Sequence, residues 1–162
     1  MDEIRYKPIG TIHSPFHEPK GMPIQPAGAR GVSGTVVLSD DFVPGLQDLE
    51  GFSHIILLYH LHLAPSCSLR VKPFLDTEER GLFATRAPAR PNPIGLSVVR
   101  LVRVDGTTLH VEDIDVLDGT PLLDIKPYVP KFDAADADRV GWLEGRQGKA
   151  PDTRSDDRFV DP

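Results

Sequence analysis

Cysteine is almost missing: Cys67 is the only one in 162 residues. A lone thiol excludes an intrachain disulfide and any Cys-rich zinc pattern, which points to the reducing cytoplasm. Long apolar runs are missing too. The longest, Ile55 to Tyr59, is far too short to span a membrane, and the opening MDEIRYKPIG has no basic start followed by an apolar segment. The chain therefore reads as soluble and not exported. Aromatic residues make up 7% of the sequence and are scattered singly. Such a distribution builds no platform on which bases could stack, so a non-enzymatic RNA- or protein-binding barrel ranks behind an enzyme. Neither G-x-x-x-x-G-K-[ST] nor a G-x-G-x-x-G opening a helix occurs. That argues against a Rossmann-type cofactor domain, and any nucleotide-like cofactor must be held differently. No G-x-S-x-G elbow frames Ser97, and Cys67 follows Pro65-Ser66 without a catalytic setting.

What is present is a chain of length suited to one principal domain with a core. Apolar residues at helical spacing are absent before residue 130, while short strand-like runs recur: Ile4 to Ile12, Val32 to Leu38, Phe52 to His62, Leu69 to Pro73, Gly81 to Thr85, Ser97 to Val104 and Thr107 to Ile114. Asp105-Gly106 lies between the last two, a signal for a tight hairpin. These runs predict a mainly all-β fold, a single-sheet barrel of about seven strands over residues 1–132. Residues 133–162 read as a short helix, Asp133 to Gly145, able to dock through Trp142 and Leu143, followed by a polar, mobile tail.

Charge is unevenly spread. The net value is −6, yet Leu69 to Val104 holds seven basic residues against three acidic ones, and Asp105 to Pro130 holds Lys126 against six acids. An acidic total therefore conceals a basic middle third. Within it, FATRAPARPNPIGLS sets Arg86 and Arg90 among three prolines, each fixing its own φ and holding its predecessor extended. A planar donor fork on a stiff loop is prepared for an anion, although surface arginines on a rigid turn would read the same way. In GFSHIILLYHLHL a strand would put Ile55, Leu57, Tyr59 and Leu61 on one face and His54, His60 and His62 on the other. His54 and His60 would lie roughly 20 Å apart, so the three cannot share an ion and no metal site is expected. Asp118-Gly119-Thr120-Pro121 has the composition of a turn beside an edge-strand proline.

Several of these stretches together resemble the TrmO/TsaA-like family of S-adenosylmethionine-dependent tRNA methyltransferases. The likeness runs from residue 4 to 132 through Ile9 to Pro15, Phe52-Ser53-His54, Phe83 to Arg86, Arg90 to Ser97, Asp118 to Pro121 and Asp124 to Tyr128. It implies a β-barrel acting as a homodimer, with the methyl donor near the subunit interface. The implied reaction methylates N6 of threonylcarbamoyladenosine beside the anticodon of a threonine tRNA. By matching positions, the resemblance assigns the cofactor to Pro23, Ile24, Gln25, His62, Leu63, Arg86, Leu96, Asp118, Gly119, Thr120 and Pro121.

In-line displacement at a sulfonium methyl depends on alignment, and a urea-like acceptor nitrogen must lose a proton, so a base or polarising group is expected. His62, Asp118 and Tyr128 are the candidates by residue type. Arg90, with Arg70 and Lys72, would contact anticodon-loop phosphates, which position RNA without reading it. The nearest rival is the same cofactor site serving another RNA position or a small molecule.

Overall fold

Alternation along β3, His54–His60, sets the architecture: Ile55, Leu57 and Tyr59 are buried while His54, Ile56 and Leu58 are half-exposed. The computed structural model describes residues 2–160. Its other strands are β1 (Gly10–His13), β2 (Ser33–Leu38), β4 (Arg70–Val71), β5 (Arg80–Gly81), β6 (Ile94–Asp105), β7 (Thr108–Glu112) and β8 (Thr120–Pro127). Six of them close a barrel in the order β1-β2-β7-β6-β3-β8, with β8 returning to β1, and β4 and β5 form a separate two-stranded sheet. The barrel is thus smaller than the predicted count of about seven.

The difference lies in two places. Leu69 to Pro73 and Gly81 to Thr85 were expected as strands, but Arg70 pairs only with Gly81 and Val71 with Arg80, and Leu82–Ala84 turns into a 3-10 helix. Conversely, the stretch after Asp118 is a full strand. β8 pairs with both β1 and β3, so Pro121 stands inside a closed sheet, opposite Thr11, instead of at an edge. Being the second residue of β8, it removes a donor only at the strand's start. The β6–β7 hairpin forms where Asp105-Gly106 signalled it: Asp105 faces Thr108 across a two-residue loop in which Gly106 has φ 58°.

The interior is one apolar cluster. Ile12, Val36, Ile55, Leu57, Val99, Leu109, Val111, Ile114 and Leu122 are all essentially inaccessible, and each contributes roughly 1.5–3 kcal/mol by leaving water. Barrels of about eight strands are the smallest that hold a ligand in their lumen. Six strands leave only room for side chains, so a ligand must sit at an end or on the outside.

That end is built by the long excursion between β3 and β6. Val71, Leu82, Ala87 and Ala89 make a second small core there, against which Phe159 packs. Asp76 organises it: its carboxylate accepts from the backbone N–H of Thr77 at 2.8 Å and pairs with Arg80 at 2.6 Å.

The C-terminal segment departs from expectation. The one α-helix among the described residues, α1, spans Pro130–Asp133, and of the expected helix Asp133 to Gly145 the part after Asp133 is not helical beyond a single 3-10 turn, Gly141–Leu143. Its few apolar residues form no continuous stripe, and Gly141 adopts φ 59°, which interrupts any helix. Trp142 docks nonetheless, donating through Nε1 to the Ala84 carbonyl at 2.8 Å beneath the Arg80 guanidinium. The polar tail has a definite seat. Ser155 exchanges backbone bonds with the 21–22 segment (Gly21 N to Ser155 O, 2.8 Å; Ser155 N to Met22 O, 2.9 Å), Lys20 pairs with Asp157, Arg158 donates to the Pro73 carbonyl, and Phe159 meets Phe74 edge-on. No helix among the described residues is long and apolar enough to cross a membrane.

Leu57→Ala is expected to cost about 2–5 kcal/mol, because the surrounding closed sheet cannot collapse into the void. Urea unfolding with an unchanged m-value would report it.

Candidate functional site

A cavity of about 430 Å³ opens where β3 and β6 meet the excursion. This size lies within the usual range for small-molecule sites. Its walls come from four parts of the chain: the 19–25 loop, the exit of β3, the arginine-proline loop leading into β6, and the turn from Asp115 to Thr120, with the seated tail (Ser155, Asp156, Phe159, Val160) closing one side. Of the residues assigned to a cofactor by resemblance, Pro23, Ile24, Gln25, His62, Leu63, Arg86, Leu96 and Thr120 line it. Asp118, Gly119 and Pro121 do not.

Their turn does other work. The Asp118 carboxylate accepts from Ser14 N–H and His13 Nδ1, both at 3.1 Å, with His17 at 3.5 Å on its other oxygen. The Ser14 bond, followed by the His13 contact, holds this carboxyl below its ordinary range. Asp118 thus fastens the 13–17 segment, and only Thr120 from this turn reaches the cavity. Tyr128 lies beyond the opposite end of β3, its ring edge against His54 at 6.4 Å. The three candidate bases are therefore dispersed, and only His62 borders the cavity. Burial, then neighbouring His60, pushes the His62 pKa down. Among the described residues no group of three or more His, Cys, Asp or Glu side chains is placed to share a metal ion.

The arginines divide in the same way. Arg86 is exposed on the rim, and its Nη1 donates to Gln25 Oε1 at 3.0 Å, so the stiff loop presents one guanidinium to the cavity mouth. Arg90 also borders the cavity but turns inward, donating to the Thr85 and Ala87 carbonyls over the Phe83 ring. It braces the loop. Arg70 pairs with Glu79 at 3.4 Å, and Lys72 is exposed on the same lobe. Gly95 has its own requirement: any Cβ there would run into the Tyr59 ring, so only glycine lets β6 pass over that side chain.

Sequence reasoning missed the polar floor. Tyr59 Oη and Ser97 Oγ are 2.8 Å apart, and Ser97 Oγ donates to Asp115 Oδ1 at 2.6 Å. Tyr59 and Ser97 are buried within the barrel end, while Asp115 is half-buried with cavity before it. Burial raises the Asp115 carboxyl to about 6, against the opposing pull of the Ser97 hydrogen bond and the Arg86 charge. Burial likewise pushes the Tyr59 phenol upward, reinforced by the charge on Asp115. Nothing in the acidic run marked Asp115 out; inward alternation of Tyr59 with Ser97 across β3 and β6 was the available signal. Between its ordinary value of 3.8 and about 6, the folded chain keeps a proton that the unfolded chain has lost. Asp115 therefore lowers stability as pH rises through that window. Removing the charge should show this: the stability of Asp115→Asn relative to wild type is expected to climb from pH 4 to pH 7 in parallel denaturant titrations and then level off. A flat difference would contradict the assignment.

Residues 11–134 match the family described as the tRNA-methyltransferase O N-terminal domain. A probable S-adenosyl-L-methionine-binding protein of Pyrococcus abyssi is 57% identical over 96% of this chain and 85% of its own length. A tRNA (adenine(37)-N6)-methyltransferase of Mus musculus is 34% identical over 79% of this chain, which spans only 31% of the mouse protein. Among solved structures, TrmO from Pseudomonas aeruginosa superposes with a TM-score of 0.73 at 43% identity, covering 87% of this chain and 63% of that one. Most of the cavity wall, from Pro19 to Thr120, lies inside the matched region, while its Ser155 to Val160 side lies outside it. By sequence and by fold, this chain belongs to the family of the tRNA-methyltransferase O N-terminal domain.

Proposed function

We propose that the chain binds S-adenosylmethionine in this cavity and transfers its methyl group to N6 of threonylcarbamoyladenosine next to the anticodon of a threonine tRNA. One observation carries the reading. Eight of the eleven positions that the family resemblance assigns to the methyl donor, scattered between Pro23 and Thr120, surround a single cavity of suitable volume. Family membership and the names of the Pyrococcus and mouse relatives support the donor and the class of acceptor.

The residues present suit the donor chemically. Apolar walls (Ile24, Leu61, Leu96) fit a nucleoside face, Arg86 at the mouth fits a carboxylate, and the Asp115 carboxylate on the floor complements positive charge. Holding the donor and the acceptor base in line is what such a site contributes to a displacement. His62 stands on the cavity wall as a polar contact, while Asp118 supports the fold of the neighbouring segment. On the RNA side, Arg70 and Lys72 are exposed on the excursion lobe and would meet phosphates, while Arg90 stiffens the loop that carries Arg86.

The exposed side chains of Leu63, Ile94 and Leu96 form an apolar rim beside the cavity. A second copy of the chain seated there would give the homodimer that the family resemblance implies, with the donor near the interface. The place of action is the cytoplasm, where a reduced Cys67 and tRNA coexist.

Calorimetric titration with S-adenosylmethionine is expected to show saturable binding, weakened about tenfold or more by Arg86→Ala through loss of a charged contact. A folded wild-type chain that binds neither the donor nor its demethylated product would remove this reading. Methylation of threonylcarbamoylated tRNA, set against unmodified tRNA, tests the acceptor.

A further inference from the structure

The Tyr59–Ser97–Asp115 chain ties β3, β6 and the turn after β7 together by side-chain bonds and places a carboxylate beside the cavity. Its direction follows from counting protons. A serine hydroxyl has one hydrogen, and Ser97 spends it on Asp115 Oδ1 at 2.6 Å. The phenol of Tyr59, 2.8 Å away, must therefore donate to Ser97. Both donations run toward Asp115. Oδ1 accepts from Ser97, Oδ2 has no side-chain donor among the described residues, and Asp115 borders the cavity.

We propose that Asp115 is the proton acceptor in methyl transfer, with Ser97 and Tyr59 as the positioning residues that aim its carboxylate. This rests on the functional reading above. In the step, the lone pair of the acceptor N6 forms the bond to the methyl carbon, and the sulfur–methyl bond breaks with its electron pair going to sulfur. The N6 proton passes to Asp115 Oδ2 and later leaves to solvent. No oxidant or reductant is needed.

Charge explains why the carboxylate is chosen. The groups that face Asp115 or share its cavity are Tyr59, His62, Arg86, Arg90 and Asp156. Asp156 is bound by Arg158 through both oxygens, at 2.7 to 3.0 Å, and its pKa is lowered, chiefly by that contact. It is a poor acceptor. Proton transfer to His62 would leave a cation in the cavity where the sulfonium had been. Proton transfer to Asp115 instead cancels the sulfonium charge against the carboxylate, leaving donor product, methylated nitrogen and acid all neutral. In a cavity of low dielectric the second course is favoured. The burial that raises the Asp115 pKa to about 6 brings the base close to operating pH, where general-base catalysis is most effective.

The test is single-turnover transfer at saturating S-adenosylmethionine and threonylcarbamoylated tRNA across pH 5 to 9, with donor affinity measured calorimetrically on the same proteins. The wild-type rate should rise with pH about a single midpoint at or below about 6, because a sulfonium beside the carboxylate favours its charged form. Asp115→Asn should be slower by about 10²–10⁴-fold in the transfer step, a loss that raising the donor concentration does not restore. Ser97→Ala removes the hydrogen bond that holds the carboxyl down, so its midpoint should move to higher pH. His62→Gln, whatever its rate, should keep the wild-type midpoint. Several results would overturn the proposal: an Asp115→Asn rate within about threefold of wild type, a loss confined to donor affinity, or a midpoint that follows His62. If Asp115→Asn does not fold, the midpoints of Ser97→Ala and His62→Gln decide alone. A wild type that neither binds the donor nor methylates tRNA removes the functional reading and this proposal with it. A wild type that works beside an equally active variant removes the proposal only.

Discussion

Closure of a six-strand sheet is the constraint on which everything else here depends. β8 must bond to β1 on one side and β3 on the other, so no barrel strand has a spare edge and the lumen is filled by its own aliphatic side chains. Chemistry is thereby driven to the rim. There the ladder continues past β3, with the Leu61 amide bonding to the Pro93 carbonyl at 2.7 Å, and Tyr59 and Ser97 are carried from the core to the cavity floor. A register shift between Leu58 and Tyr59 in the β3–β8 pairing falls at this point. Bulges commonly re-aim side chains beside sites, and this one adjoins the residue that begins the polar chain.

The excursion between β3 and β6 shows how rigidity is obtained without regular structure. Prolines remove backbone freedom along 88–93, Arg90 bonds to two carbonyls of its own loop, and Gly95 lets the next strand pass over an aromatic ring. What this bracing accomplishes is to hold Arg86 at the cavity mouth before any ligand arrives. Affinity gained by such preorganisation needs no additional contact.

Much of this was legible in the chain itself. Period-two alternation in Ile55, Leu57 and Tyr59 identified the central strand and its inward face, and Asp105-Gly106 located a hairpin, because both signals are local. β8 was not legible. Pro121, Pro127 and Asp124 lower its strand propensity, and only pairing on both sides makes it a strand. The reverse held for Asp133 to Gly145, where alanines and acids favour a helix but no apolar stripe exists to bury it. At the site, motif likeness found the wall but not the floor. Asp115 differs from Asp113 and Asp118 only in what the fold puts around it, so its role depends on contacts with residues eighteen positions and more away.

The cavity also has two kinds of wall, with different costs of opening. The barrel side gives way only if the sheet does. The Ser155 to Phe159 side is held by backbone bonds to the 21–22 segment, the Arg158 bond to the Pro73 carbonyl, a surface ion pair and the packing of Phe159 against Phe74 and the small second core. Openings of that size lie far below global unfolding on the scale of native-state fluctuations, and surface ion pairs add little to them. A bound donor has to be exchanged after transfer, and local opening of the 155–159 segment would allow this while the barrel side of the cavity stays folded.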